Sequence, residues 1–304
     1  RLIDAFREDR ILLAATVVMS MFTLFPLTQA AFLPLGDLPD TAACAALLPE
    51  IIWGKGVPAE YYTVNWAPVP YWTTTVLIAF FSSIFNVLIA IKVTVGIIVL
   101  LLPLSTMRML QALGRDPRLG LLAFGLSWEH SLAAGWIAHA LGMGMTVWAL
   151  AWILEANTIK ASLRGALLGG LIGLTHALPT AYFAIGTAAL TLARPGLFRR
   201  FVLHATAGLG LMASLIPWLI ERIRSSGGMK SATSMSFEWH PLWDKVRDLF
   251  RFTLDNFTLP ADVEAGARTF VMLLFAPILL TLLPARAGAT RLASLILLLL
   301  AFLF

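Results

Sequence analysis

The sequence predicts an all-α protein, a polytopic transmembrane helical bundle of about nine spans with two long outer loops that carry short interfacial helices. Composition is the first reason: 59% of the residues are hydrophobic and only 13% are charged, whereas a soluble domain has about 25% charged residues. The second reason is that the apolar residues form runs of the length that crosses a bilayer, which is about 20 residues for a helix.

The basic residues lie mostly in short loops between these apolar runs, although the formal net charge is +5. Lysines and arginines in such positions act as topology signals and as contacts for anionic lipids. We therefore expect membrane lipids as partners and no nucleic acid. Cys44 is the only cysteine, which excludes an intramolecular disulfide and a cysteine-based metal site.

The first part of the chain contains one span and a long loop. Residues 11–33 carry no charge and form the first predicted span. Residues 34–68 form the first outer loop, and within it Asp40 is expected to cap a short interfacial helix over residues 40–48 that Pro49 ends. Aromatic residues typical of a membrane interface follow; they are Trp53, Tyr61, Tyr62, Trp66, Tyr71 and Trp72.

The later apolar runs predict six more spans before a second long loop. That loop covers residues 221–268 and contains an amphipathic helix at 239–252 that suits a membrane surface. One long tilted helix over residues 119–152 is the alternative to two helices there, and it would put the two long loops on opposite sides. The spans are placed at 69–90, 93–113, two within 119–152, 165–193 and 201–220, then 269–283 and 292–304.

The two ends of the chain carry further expectations. Residues 1–10 contain three arginines and are placed on the cytoplasmic side by the positive-inside rule. The chain ends at Phe304 within the apolar run 295–304. Because a natural protein rarely ends inside a span, we expect residues 1–304 to be a fragment of a single transmembrane domain whose C-terminal part is missing. Arg108, near the end of a span, is expected to reach the interface.

Two carboxylates directly after the first span are the main candidates for chemistry. Asp37 and Asp40 lie among prolines and a glycine at a membrane boundary, where ionisable groups are costly and are functional candidates for that reason. Both residues also suit the start of a helix. The sequence leaves Asp37 open between a helix cap and a general base, and it favours a cap for Asp40.

Three polar residues inside apolar segments are candidates for substrate binding. Glu129 and His130 lie between two apolar helices, either lining a cavity or marking a turn at the interface. His176 lies within a predicted span, as a site residue or in a packing hydrogen bond. His139 and His204 are interpreted as structural. No zinc-type ligand spacing, phosphate-binding loop or nucleophile elbow is present.

The layout resembles the GT-C superfamily of membrane glycosyltransferases. One span is followed by a long outer loop that opens with an aspartate, then by short-looped spans and a second long outer loop. Residues 36–40, with the Ala-rich helix after them, are similar to the first-loop aspartate motif of bacterial members. Residues 135–142 and 174–179 are similar to weaker hallmarks of the same group. Thr41 is a departure, because many relatives have a histidine there.

The resemblance implies transfer of a sugar, with inversion, from a polyprenyl-phosphate donor to an acceptor hydroxyl on the outer face of a bacterial inner membrane. It implies that Asp37 is the base, with Asp40 beside it, and that the chain has nine spans rather than eight. It implies no cofactor, and it leaves open whether a divalent cation binds at the phosphate. The sugar and the acceptor stay undetermined. Basic residues of the second loop would hold the phosphate, since a guanidinium matches its oxygens; the set is Arg222, Arg224, Lys230, Lys245 and Arg247.

A transporter or lipid flippase with a mid-membrane site near His176 is the alternative function. Pro179 in the same predicted span is typical of the interrupted helices that build such sites. A structural or assembly subunit is a third interpretation. The concentration of polar residues in two loops, rather than in mid-span, favours the enzyme.

Overall fold

The computed structural model describes residues 2–64, 66, 70–193 and 197–226, and within this part the chain is all helical, with no strand. The predicted all-α class is confirmed for these residues. The predicted interfacial helix 239–252 and the eighth and ninth spans lie outside the described residues. The helices are α1 (Leu2–Glu8), α2 (Arg10–Leu24), α3 (Pro26–Gln29), α4 (Leu38–Ile52), α5 (Pro58–Tyr61), α6 (Trp72–Ser82), α7 (Val87–Ala112), a 3-10 helix (Pro117–Leu126), α8 (His130–Ala133), α9 (Ile137–Glu155), α10 (Ile159–Thr175), α11 (Ala177–Leu192) and α12 (Leu197–Ser226).

Four helical segments of the described chain are long and apolar enough to cross a membrane. They are Arg10–Gln29, Val87–Ala112, Ile137–Glu155 and Val202–Ile220. Three shorter apolar helices accompany them, at Trp72–Ser82, Pro117–Leu126 and Ala177–Leu192. These helices support a membrane protein, and the count of nine spans stays a prediction.

The first span begins and ends earlier than the hydropathy of residues 11–33 predicts. Asp9 starts α2, because its side chain accepts a hydrogen bond of 3.0 Å from the backbone N–H of Leu12. Pro26 then opens α3 at the first helical position, where a missing N–H costs nothing. The helical path ends at Gln29, and residues 30–37 turn towards α4.

The predicted second and third spans do not match the observed helices. α6 ends at Ser82, and α7 begins at Val87 and continues without a break through Lys92, where the prediction separates two spans. The cause is Asn86, whose side chain accepts a 2.9 Å hydrogen bond from the N–H of Ile89 and so starts α7 inside an apolar run.

The predicted sixth span, residues 165–193, is two helices that meet at His176. Thr158 starts α10 by accepting a hydrogen bond from the N–H of Ala161. α10 therefore begins at Ile159, ahead of the predicted start of the span at residue 165. Residues 119–152 likewise contain most of the 3-10 helix, α8 and most of α9 rather than one long helix.

Contacts at glycines and in the core fix the directions of the first helices. Leu24 lies against Gly96 of α7, and Leu12 packs with Met107 further along α7, so α2 and α7 are antiparallel. Leu101 of α7 lies against Gly144 of α9, and the pair formed by Arg108 and Glu155 lies further along both helices. α7 and α9 are therefore parallel, and the 3-10 helix and α8 return the chain between them.

The last helices follow the same logic. Gly142 of α9 lies against Thr175 near the end of α10, and Gly165 near the start of α10 lies against Ile153, so α9 and α10 are antiparallel. Gly173 of α10 lies against Ser214 of α12, and Gly165 against Ala207, so α10 and α12 are parallel. It follows that α2, α10 and α12 all run in one direction. The two predicted long loops therefore begin at the same end of the bundle, and the side of the membrane stays a prediction.

The helix of the first outer loop is longer than predicted. α4 covers Leu38–Ile52, so Asp37 rather than Asp40 occupies the N-cap position, and Pro49 lies inside the helix instead of ending it. Pro39 at the second helical position is compatible with a helix start because the first N–H groups lack partners within the helix. Five of the six predicted interfacial aromatic residues are exposed, as a membrane interface requires, and Trp72 at the start of α6 is half-buried. The exposed ones are Trp53, Tyr61, Tyr62, Trp66 and Tyr71.

Candidate functional site

Two segments far apart in sequence meet through their backbones, and we call this contact the loop junction. The N–H of Gly36 donates to the carbonyl of Ala133 over 3.1 Å, and the N–H of Asp37 donates to the carbonyl of Ala134 over 3.0 Å. Gly135 has a φ of +87°, and a Cβ there would lie 2.1 Å from the backbone nitrogen of Asp37. Only glycine satisfies both the conformation and the close approach.

Asp37 is the residue that the loop junction holds most directly. It occupies the N-cap position of α4, yet its side chain makes no capping hydrogen bond, and the residue is exposed. Asp40 is also exposed, in the first turn of the same helix, where the helix dipole favours negative charge. The structure therefore does not supply the hydrogen bond on which the cap interpretation of Asp37 depends.

Glu129 lies in the segment that the loop junction brings to Asp37. Its half-buried carboxylate accepts a hydrogen bond from the hydroxyl of Ser131. The carboxylate also acts electrostatically on Tyr182 of α11. Glu129 is thus held within its own turn by the hydroxyl of Ser131. His130 opens α8, and its side chain lies outside the described part.

His176 has two defined contacts at the break between α10 and α11. Its Nδ1 accepts a hydrogen bond of 3.1 Å from the N–H of Leu178 and caps α11. Its Nε2 lies 3.3 Å from the hydroxyl of Tyr71. Because a neutral imidazole that accepts at one nitrogen carries its proton on the other, Nε2 donates to the Tyr71 oxygen.

His139 completes a group that we call the histidine cluster, which consists of Tyr71, His139 and His176. The ring centroids of His139 and His176 are 5.4 Å apart and the rings are perpendicular. Both ring nitrogens of His139 are buried without a hydrogen-bond partner in the described part of the chain. A structural histidine in a core is normally hydrogen-bonded, so the structural interpretation of His139 lacks its expected partner.

The predicted phosphate-binding cations fall on α12 or beyond it. Arg222 and Arg224 belong to a helix that continues to Ser226, and not to a loop that starts at residue 221 as predicted. Arg224 is exposed in the last turn of α12, where the helix dipole favours a cation. Only the backbone of Arg222 is described. Lys230, Lys245 and Arg247 lie outside the described residues.

An apolar groove of about 340 Å³ separates α11 from α12. His204 and Thr191 are among its few polar residues, and they contact each other through Nδ1 and the hydroxyl. The structural interpretation of His204 therefore has a partner to support it. The remaining lining is mostly aliphatic or aromatic: Phe183, Ala184, Thr187, Ala188, Leu192, Ala205, Gly208 and Leu211.

The loop junction and the histidine cluster lie at the same end of the bundle. Gly135 belongs to the loop junction and shortly precedes α9, and His139 lies in the first turn of α9. Tyr71 joins the cluster although the sequence suggested only an interfacial aromatic residue. Its backbone N–H donates to the carbonyl of Thr175 over 2.9 Å, and its φ is +78°. No sequence pattern near residue 71 indicates either this hydrogen bond or this backbone conformation.

No group of three or more His, Cys, Asp or Glu side chains that could hold a metal ion occurs among the described residues. Comparison of the chain with family models, with characterised proteins and with solved structures gives no match.

Proposed function

We propose that the chain is a membrane glycosyltransferase that moves a sugar from a polyprenyl-phosphate donor to an acceptor hydroxyl, with Asp37 as the general base. The observation that carries the proposal is the state of the Asp37 carboxylate. It lies at a helix start without making the capping bond, it is exposed, and two backbone hydrogen bonds hold its segment against the turn of Glu129.

The reaction requires one base and one leaving group. The acceptor oxygen attacks the anomeric carbon, its proton passes to a carboxylate oxygen of Asp37, and the bond to the donor phosphate breaks with its electron pair leaving on the phosphate oxygen. A positioned base of this kind contributes about a hundred- to ten-thousand-fold to the rate. Asp40, three residues further on α4, adds negative charge that favours protonation of its neighbour in the transition state.

The donor has two parts with different needs. Its phosphate needs cations, and Arg224 is exposed at the end of α12. We assign Arg222, Lys245 and Arg247 to the same phosphate-binding set. We assign His130 and Glu129 to the binding of the acceptor. Its prenyl chain needs an apolar surface within the membrane, and the groove between α11 and α12 has that character. The proposed location is the outer face of a bacterial inner membrane. The proposal needs no cofactor, and it leaves a divalent cation at the phosphate open.

The test is the pair of variants Asp37→Asn and Asp37→Ala, assayed for sugar transfer from undecaprenyl-phosphate sugars with a panel of hydroxyl acceptors. Asn has nearly the same shape and is about equal to Asp as an N-cap, but it cannot accept a proton at neutral pH. We expect Asp37→Asn to lose at least a hundredfold in rate and to keep its melting temperature in detergent. Asp40→Asn should lose much less activity than Asp37→Asn, because Asp40 acts on the base only through its charge.

The opposite pattern would remove the assignment. If Asp37 is only a cap, Asp37→Asn is nearly silent and Asp37→Ala loses about 1 kcal/mol of stability. In that case Glu129→Gln is the next variant to assay. A wild-type protein that transfers no sugar from any donor of the panel would contradict the function itself.

A transporter or lipid flippase is the second candidate, and one observation favours it. The chain turns at His176 between the antiparallel helices α10 and α11, next to nitrogens of His139 that have no hydrogen-bond partner among the described residues, and polar groups on apolar helices mark the pathways of many transporters. Movement of a fluorescent polyprenyl-phosphate lipid across proteoliposomes, lost in His139→Leu, would support this function. Retained movement in His139→Leu would exclude the site.

A further inference from the structure

We propose that Tyr71 and His176 form a donor relay that recognises a hydroxyl oxygen of an uncharged sugar moiety. The inference rests on the proposed function, because it names the part of the donor or acceptor that this end of the bundle binds. It concerns residues that no step of the proposed reaction uses.

The relay has a fixed direction. The N–H of Leu178 donates to Nδ1 of His176, so the proton of the neutral ring lies on Nε2, which donates to the hydroxyl oxygen of Tyr71. The phenol oxygen is thereby an acceptor, and its own proton is left for another acceptor. No contact of the described residues uses that proton, and the Tyr71 residue is 57% exposed. The relay therefore ends in a donor that a ligand can reach.

The backbone holds Tyr71 in this position at some cost. Its φ of +78° is rare for a residue with a side chain, and the hydrogen bond from its N–H to Thr175 fixes it beside the break between α10 and α11. Residues held in such conformations cluster at ligand sites. The perpendicular contact of the Tyr71 and His176 rings, with centroids 5.2 Å apart, orients the phenol further.

The chemistry of the relay selects the ligand class. A phenol that receives a hydrogen bond offers one neutral proton, which suits a hydroxyl oxygen better than a phosphate that needs several donors or a cation. The exposed tyrosine ring adds an apolar face on which the C–H groups of a pyranose can lie, as in sites that combine aromatic surface with few polar groups. A sugar has both features.

A metal ion is the competing occupant, and the tautomer argues against it. Two imidazoles with centroids 5.4 Å apart are close enough to share a metal. However, Nε2 of His176 carries the proton as long as Nδ1 accepts from Leu178, and a protonated nitrogen cannot ligate. A metal would have to displace the cap of α11.

The experiment measures the affinity of the full chain in nanodiscs for three probes: undecaprenyl-phosphate glucose, undecaprenyl phosphate without a sugar, and glucosyl diacylglycerol. Tyr71→Phe removes only the hydroxyl. His176→Asn keeps a cap for α11, because the Asn side-chain oxygen can accept from the Leu178 N–H, but it cannot reach Tyr71. Tyr61→Phe is the matched control on another exposed tyrosine.

We expect Tyr71→Phe and His176→Asn each to weaken binding of both sugar-bearing probes about fivefold, the typical effect of one hydrogen bond. The double variant should lose no more than either single variant, since the two residues act as one relay. Binding of undecaprenyl phosphate and the Tyr61→Phe control should not change. Zn²⁺ should not bind to the wild type at the cluster.

Other outcomes overturn the proposal in distinguishable ways. If undecaprenyl-phosphate glucose binds and Tyr71→Phe leaves its affinity unchanged, the relay is wrong and the proposed function stands. If only glucosyl diacylglycerol binds through Tyr71, the sugar site stands and the polyprenyl-phosphate donor is wrong. Equal losses of affinity for all three probes would mean that Tyr71 supports the fold. If Zn²⁺ binds and His139→Ala abolishes that binding, the histidine cluster is a metal site and not a sugar site. If no probe binds, both ideas fail.

Discussion

Polar side chains are paired differently at the two ends of the helical bundle. We call one the ionic end, where Arg108 pairs with Glu155 and Asp9 pairs with Arg118. We call the other the site end, which carries the loop junction and the histidine cluster. α9 connects them: His139 lies in its first turn and Glu155 is its last residue, a separation of about 24 Å at 1.5 Å per residue.

The difference shows where the fold uses its polar groups for stability. At the ionic end the carboxylates of Asp9 and Glu155 each receive a guanidinium, and Asp9 also caps α2. At the site end the Asp37 carboxylate makes no capping bond and the nitrogens of His139 have no partner in the described part of the chain. Because unsatisfied buried polar groups cost stability, the nitrogens of His139 mark a candidate functional region, although the buried Ser162 hydroxyl near the ionic end also lacks a partner in the described part.

The largest effect should come from breaking the buried ion pair of the ionic end. The side chains of Arg108 and Glu155 are only 7% and 18% exposed, so the sequence-based expectation that Arg108 reaches the interface is wrong. Arg108→Ala leaves Glu155 buried without its guanidinium, and we expect a loss of about 3–5 kcal/mol. Thermal unfolding of the purified protein in detergent measures it.

The control is the double variant Arg108→Met with Glu155→Met, which removes both charges and keeps most of the volume. It should recover most of the lost stability, because a buried pair replaced by apolar residues is often neutral. If the double variant is as unstable as Arg108→Ala, the pair has a role beyond mutual neutralisation, and the contrast between the two ends loses its basis.

A smaller loss of stability should distinguish a glycine of the loop junction from a glycine in a similar turn at the ionic end. Gly135 and Gly114 both have a positive φ, +87° and +70°, but a Cβ at Gly114 would meet nothing within 4 Å. Gly114→Ala should cost about 1 kcal/mol for the conformation alone. Gly135→Ala should cost about 1–3 kcal/mol more, since its Cβ collides with the backbone of Asp37, and it should also lower sugar transfer.

Melting temperatures and transfer rates of the two variants test this comparison. Equal destabilisation by both substitutions would show that the close contact between Gly135 and Asp37 is not rigid. Gly135→Ala with full transfer activity would separate the loop junction from the site.

The sequence located the apolar helices better than their ends or their partners. Hydropathy is a local property, so residues 201–220 were correctly placed within α12. The predictions differ from the structure where a single polar residue starts a helix, as Asn86 does inside an apolar run and Thr158 does ahead of the predicted span 165–193. A capping residue followed by good helix formers is a readable signal, and weighing it against hydropathy would have placed both helices.

The site was only partly predictable, for a different reason. Asp37, Glu129 and His176 stand out by type and position, since ionisable residues beside apolar runs are rare. Their mutual placement depends on contacts between residues about 100 positions apart, such as Asp37 with Ala134 and Tyr71 with Thr175. The role of Tyr71 depends on a backbone conformation that no sequence pattern near residue 71 indicates.

The smallest effect concerns the pH dependence of the ionic end. The hydrogen bond from the Leu12 N–H, and then the guanidinium of Arg118, hold the pKa of Asp9 below its ordinary value of 3.8. A carboxylate with a lowered folded-state pKa stabilises the protein above its unfolded-state pKa and loses that contribution as the pH falls through the folded-state pKa.

Asp9→Asn keeps a cap for α2 and removes the charge that pairs with Arg118. We therefore expect wild type to melt above Asp9→Asn at pH 7, with a gap that closes as the pH falls below 3.8. Thermal unfolding of both proteins across this range measures the gap, and a gap that is constant or grows towards acid pH would show that the ion pair of Asp9 with Arg118 contributes nothing to the ionic end.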